Sequence, residues 1–210
     1  MSKHYFKKQR LGLLAVGGMM SAMLAFSLTP TFAGIVASIK NSTNTAATGT
    51  LVMKESSGGQ NCTSSTEASN SATCGTINKY GGTTTPLIPG GAGNTTEITI
   101  TNEGNIDATS FTVQADQCTQ SAHGSTNGNA NNLCEKVNIT ITSGSHTIFS
   151  GSAKAFNEAG SIDILKEISQ ANVAKQTNVP ITIKAALDTS ADATYQGLQI
   201  SQPITWTFGA

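Results

Sequence analysis

The sequence predicts an all-β, antiparallel sandwich. Three observations carry that expectation: apolar residues alternating with polar ones at a period of two, turn-forming clusters between those stretches, and few charges. A period of two is the repeat of a strand with one buried face. Only 11% of the residues are charged, so Thr, Ser, Asn and Gly must cover the outside.

The first element in chain order is an apolar run over residues 11–28. It follows Lys3, Lys7, Lys8 and Arg10 and precedes Pro30 and the small-residue site Thr31-Phe32-Ala33. That three-part layout predicts a cleavable signal peptide over residues 1–33, cut between Ala33 and Gly34. A membrane anchor is the competing reading, because 18 mostly apolar residues approach the length that spans a bilayer. Against it, Gly17, Gly18 and Ser21 thin the run, and Pro30 favours the extended chain a peptidase needs.

Cleavage removes four basic residues and no acids, leaving 8 bases against 12 acids, a net charge of −4. No basic cluster survives to neutralise phosphates, so nucleic acid is not an expected partner. Residues 34–47 read as a strand and tether, and residues 48–210 as one sandwich domain.

Seven strands are expected in that domain. Leu51 with Met53 opens the series, and Ile98 with Ile100 follows, between Thr99 and Thr101. Phe111, Val113 and Ala115 form the third, and Val137, Ile139 and Ile141 the fourth, with β-branched residues on both faces. Ile148 with Ser150 makes the fifth. Ile181, Ile183, Ala185 and Leu187 follow Pro180, and Ile204, Trp206 and Phe208 follow Pro203, positions that suit strand starts. Turn chemistry separates them at Leu87-Ile88-Pro89-Gly90-Gly91, Asn102-Glu103-Gly104-Asn105, Ser143-Gly144 and residues 188–193.

One stretch, residues 161–170, departs from the alternation. Ile162, Leu165 and Ile168 lie at helical spacing behind Ser161, with Asp163 in the first turn, which predicts one short crossover helix capped by Ser161.

Four cysteines, Cys62, Cys74, Cys118 and Cys134, suit disulfides in an oxidising setting. Three pairings are possible. Cys62 with Cys74 and Cys118 with Cys134 are favoured, because they would staple the two long polar inserts at residues 56–76 and 117–132. Zinc is the alternative, but no pair has the close spacing of a structural site and His123 is the only histidine nearby.

Catalytic chemistry is sparse. No H-E-x-x-H places two imidazoles on a zinc, and no G-x-S-x-G elbow exposes a serine. His146 reads as a surface strand position. Asp188 and Asp192 share a loop with too few carboxylates for a calcium cage, so a solvated turn is expected there. The chain is therefore read as non-enzymatic, with no catalytic residue, cofactor or metal ligand. Asn41, Asn61, Asn94 and Asn138 each begin an N-x-S/T sequon.

Four ordered landmarks resemble the TasA/camelysin family of secreted Gram-positive proteins, which are exported with a dedicated signal peptidase. Ala47-Thr48-Gly49-Thr50-Leu51 resembles the family's first strand, and Leu87-Ile88-Pro89-Gly90-Gly91 its L-x-P-G-D turn, with Gly in place of Asp. Ile100-Thr101-Asn102-Glu103-Gly104 is similar to its strand and N-x-G turn, and Tyr195-Gln196-Gly197-Leu198 to the Y-Q-G before its final strands. The two pairs of cysteines and the low charge depart from the family pattern.

The resemblance implies a jelly-roll-like sandwich whose members polymerise into extracellular or biofilm-matrix fibres by donating an N-terminal strand to the next subunit. Residues 34–40 fit such a donor strand: in Ile35, Val36, Ala37, Ser38 and Ile39, the odd positions share one face, and a polar tether follows. A head-to-tail contact that does not close makes a filament. Pairing of the same residues within their own domain is the alternative.

Three functions stay open on the sequence: a fibre or pilus subunit, a stand-alone adhesion module, and, through the camelysin resemblance, a secreted metalloprotease. The expected partners are other copies of this chain, a signal peptidase during export, and surface or matrix proteins. The expected location is extracellular, at the cell surface or in a biofilm matrix.

Overall fold

The computed structural model describes residues 37–39, 45–66 and 69–210. They fall into two units, one ending at Thr48 and the other comprising Gly49–Ala210. The expected signal peptide, the cleavage site at Ala33 and Gly34, the donor residues Ile35 and Val36, and the sequon at Asn41 lie outside the described residues.

In the first unit, β1 (Ala37–Ile39) pairs antiparallel with β2 (Thr45–Ala47). Ala37 stands opposite Ala47, and Ile39 opposite Thr45.

The second unit is all-β, with eleven strands among its described residues. Its larger sheet holds β3 (Met53–Ser57), β4 (Gln60–Thr63), β5 (Asn94–Asn102), β8 (Val137–Ser143), β9 (His146–Ser152) and β11 (Asn178–Leu187). The order across it is β4-β3-β5-β11-β8-β9. The smaller sheet holds β6 (Ser110–Ala115), β10 (Ile162–Asp163) and β13 (Ile204–Gly209) in the order β10-β6-β13. A separate ribbon pairs β7 (Thr119–Ala122) with β12 (Leu198–Ser201). Every strand pairing is antiparallel.

Alternation decides which side chains meet. In β8 the residues Val137, Ile139, Ile141 and Ser143 are buried, and those between them are half-buried. Ile183 sits opposite Ile141 in one neighbour, and Ile181 opposite Ile98 in the other, so the isoleucines form rows across one face. Phe111, Val113 and Ala115 of β6 are fully buried in the same core.

The helical content corrects the expectation of one short helix. Among the described residues, three short α-helices are present: α1 (Leu133–Lys136), α2 (Ala153–Glu158) and α3 (Ile164–Glu167). Ser161 does not cap α3. Asp163 does, its carboxylate accepting from the Lys166 N–H at 3.2 Å. Ile162 is a strand residue opposite Val113, where it extends the β6 ladder, and the helix starts only after that pairing ends. The alternation rule also missed α2, which Ser152 caps by accepting from the Ala155 N–H at 3.1 Å.

The two long inserts are stapled as expected, by disulfides joining Cys62 to Cys74 and Cys118 to Cys134. They are more ordered than simple loops, since β4 lies in the first and β7 in the second. Two disulfides suit an oxidising compartment. Among the described residues, no helix is long and apolar enough to cross a membrane.

Candidate functional site

β13 has a partner on one side only. It pairs with β6, and among the described residues no strand pairs with its other edge. Its backbone polarity follows from one bond at its start, where the Asp116 N–H donates to the Pro203 carbonyl at 2.9 Å. In an antiparallel ladder, groups aimed at the partner alternate with groups aimed away. Thr205 and Thr207 therefore bond toward β6, while Ile204, Trp206 and Phe208 turn their N–H and C=O groups to the open edge.

The side chains alternate the other way about the sheet plane. Thr205 and Thr207 are exposed, and Ile204, Trp206 and Phe208 are half-buried against the core. Phe208 meets Phe111 edge-on at 4.9 Å between ring centres, and Trp206 lies 6.1 Å from the same ring. The indole Nε1 of Trp206 is buried and has no acceptor among the described residues.

Beside this edge runs a cleft of about 1350 Å³. Ile204, Trp206 and Phe208 line one wall; Leu51, Met53 and Glu55, from and just before β3, line another. Glu55 stands opposite the buried Ile100, so it shares the inward face of the larger sheet. A carboxylate there needs a partner, and Lys79 supplies one: its ammonium lies 2.9 Å from Oε1 and donates to Oε2 at 3.2 Å.

Tyr80 also lines the cleft. Its hydroxyl donates to Gln202 Oε1 at 2.7 Å, and burial pushes that hydroxyl well above the ordinary tyrosine range, so it stays a neutral donor. Gln202 in turn donates to the carbonyls of Asp116 at 2.9 Å and Ala153 at 2.8 Å. The residue that leads into β13 is thus fixed on three sides.

The other residues singled out from the sequence lie elsewhere or serve the fold. His146 is exposed at the start of β9. His123 lines the cleft, and its backbone N–H donates to the Gly197 carbonyl at 2.7 Å. Asp188 accepts from the hydroxyl and backbone N–H of Ser190 at 2.6 and 2.9 Å, and from Asn138 at 3.3 Å. These bonds hold its carboxyl down at a pKa of about 2. Asp192 is likewise lowered by Thr194, whose hydroxyl and N–H it accepts. Among the described residues, no group of three or more His, Cys, Asp or Glu is placed to hold a metal.

Of the sequon asparagines, Asn94 donates to the carbonyls of Tyr80 and Thr85 and Asn138 donates to Asp188, while Asn61 is exposed on β4. The alternation of Ile204, Trp206 and Phe208 marks β13 as a strand, but its open edge, the Glu55–Lys79 pair and the role of Tyr80 depend on contacts between distant segments. Pro203, just before β13, suits an edge strand, but Pro180 lies inside the central strand β11, which begins at Asn178, so proline alone does not mark the open edge.

Comparison with known protein families and with curated proteins finds no match to this chain.

Proposed function

We propose that the protein is a secreted structural subunit of extracellular or biofilm-matrix fibres or pili, which polymerises by N-terminal donor-strand exchange with the open edge of β13 as acceptor. The observation that carries this reading is that edge. Unpaired N–H and C=O groups on Ile204, Trp206 and Phe208 lie beside a cleft whose walls are partly apolar. An extended segment that adds to such an edge gains backbone bonds along its length and places alternate side chains in the cleft. Ile35, Ala37 and Ile39 provide that alternation, and each isoleucine fully buried contributes roughly 2 kcal/mol. The landmarks resembling the TasA/camelysin family favour the same role, and the paired cysteines suit an extracellular location.

One observation favours a second reading, a stand-alone surface adhesion module. Ala37–Ile39 already pairs with Thr45–Ala47 of its own chain. That hairpin involves only three residues on each strand, and two-stranded hairpins are marginal alone in water, so exchange for a longer ladder is favourable.

Electron microscopy of the chain starting at Gly34, with and without residues 34–46, tests the proposal. Filaments are expected only with the N-terminal segment present. Equal filaments from both forms, or none from either, would contradict donor-strand exchange.

A further inference from the structure

The segment over residues 70–80 is pinned at its ends and in the middle, and its hydrogen bonds gather at the two ends. Asn70 donates to the Leu51 carbonyl at 2.5 Å and accepts from the Ser64 hydroxyl at 2.8 Å. At the other end, Lys79 meets Glu55, and Tyr80 reaches Gln202 at the start of β13. Between these anchors, residues 72–77 make no hydrogen bond among the described residues. Their attachments there are the Cys74 disulfide to β4 and the side chain of Ile77, which is 7% exposed. Residues 71–73, 75 and 76 are exposed. The segment lines the same cleft as β13 yet forms no ladder with it.

An open, partly apolar strand edge is an aggregation hazard, and proteins commonly cover such edges with loops. A covering segment with no ladder of its own gives up little backbone bonding when it leaves, and an incoming strand would gain a full set. The disulfide keeps the departing segment attached to β4.

We infer that residues 70–80 are a displaceable strap, plugged by Ile77 and latched by Tyr80, which shields the β13 edge until an incoming strand replaces it. The shielding is argued from the cleft that both segments line and from the bond of Tyr80 to Gln202, just before β13; the displacement rests on the strand-acceptor reading of the edge.

The test uses the chain starting at Gly34 and the fluorescence of Trp206, its single tryptophan. Ile77→Ala removes the plug, and Tyr80→Phe removes only the latch hydroxyl. Local opening of the strap in either variant should raise acrylamide quenching of Trp206 by about twofold or more, with amide exchange in β5 and β11 unchanged. Unchanged quenching in both variants, or exchange rising equally throughout β5 and β11, would overturn the shielding. A peptide of residues 34–46 added to the wild-type chain should speed exchange at Tyr80 and Gly81, whose N–H groups donate to Asn78, and slow it at Ile204, Trp206 and Phe208. Protection of Ile204, Trp206 and Phe208 with no change at Tyr80 and Gly81 would overturn the displacement. Absence of any peptide effect would overturn it together with the strand-acceptor reading, while the quenching result would still decide the shielding.

Discussion

The ammonium of Lys79 lies 2.9 Å from Oε1 of Glu55, and the two side chains are only 12% and 9% exposed. The pair joins the inward face of β3 to the segment over residues 70–80, which lines the cleft. Breaking a buried pair from one side strands the other charge, whereas replacing both with apolar groups is often neutral. Lys79→Met is therefore expected to lower stability by about 3 kcal/mol, and Glu55→Leu with Lys79→Met to recover most of the loss. Urea unfolding midpoints of the three proteins check this; equal destabilisation by the single and double variants would contradict it.

Asn102 is fully buried. Its amide donates to the carbonyls of Ile106 at 2.9 Å and Val173 at 3.1 Å, and its oxygen accepts from the Gly104 N–H at 3.0 Å. One side chain thus closes the turn after β5 and ties it to the approach to β11. Asn102→Ala leaves these groups unpartnered and is expected to cost about 2–4 kcal/mol. Thermal unfolding measures the loss, and a shift no larger than that of a surface substitution would contradict the assignment.

Asp188 titrates at about 2 rather than at the ordinary value of 3.8, because the Ser190 hydroxyl, the Ser190 N–H and Asn138 all favour its charged form. A lowered acid stabilises the fold above its unfolded value and loses that contribution as pH falls through its folded value. The stability advantage of the native chain over Asp188→Asn should be full above pH 3.8 and vanish as pH falls toward 2 and below. Melting temperatures of the two proteins between pH 7 and pH 2 check this; a constant difference would contradict it.

The disulfide between Cys118 and Cys134 spans a sequence separation of 16 and ties the approach to β7 to α1. Replacing both cysteines with serine frees a loop whose closure limits the unfolded chain, at an expected cost of about 3 kcal/mol. Urea unfolding of that variant measures it, and no change in midpoint would contradict it.

How much of this was legible in the sequence depends on where each element sits. β5, β8 and β11 occupy the middle of the larger sheet, and their β-branched alternation marked them clearly. β4, Gln60–Thr63, and β7, Thr119–Ala122, carry almost no apolar signal because they lie at a margin and in a small ribbon, where pairing rather than burial makes the strand. The start of α3 was misplaced for a tertiary reason: Ile162 has a ladder partner in Val113 that no local pattern reveals. The cleft was illegible for the same cause. Its walls come from residues near 51–55, 70–80 and 204–208, and only the fold brings Glu55, Tyr80 and Trp206 to one place.

The proposed function requires the open edge of β13 to accept a strand. Residue-resolved amide exchange at Ile204, Trp206 and Phe208, before and after assembly of the chain starting at Gly34, tests it most directly. Slower exchange at these three N–H groups in the filament than in the monomer, where residues 70–80 cover them without bonding, is expected, while Thr205 and Thr207, bonded to β6, stay protected in both. Filaments in which Ile204, Trp206 and Phe208 exchange as fast as in the monomer would contradict it.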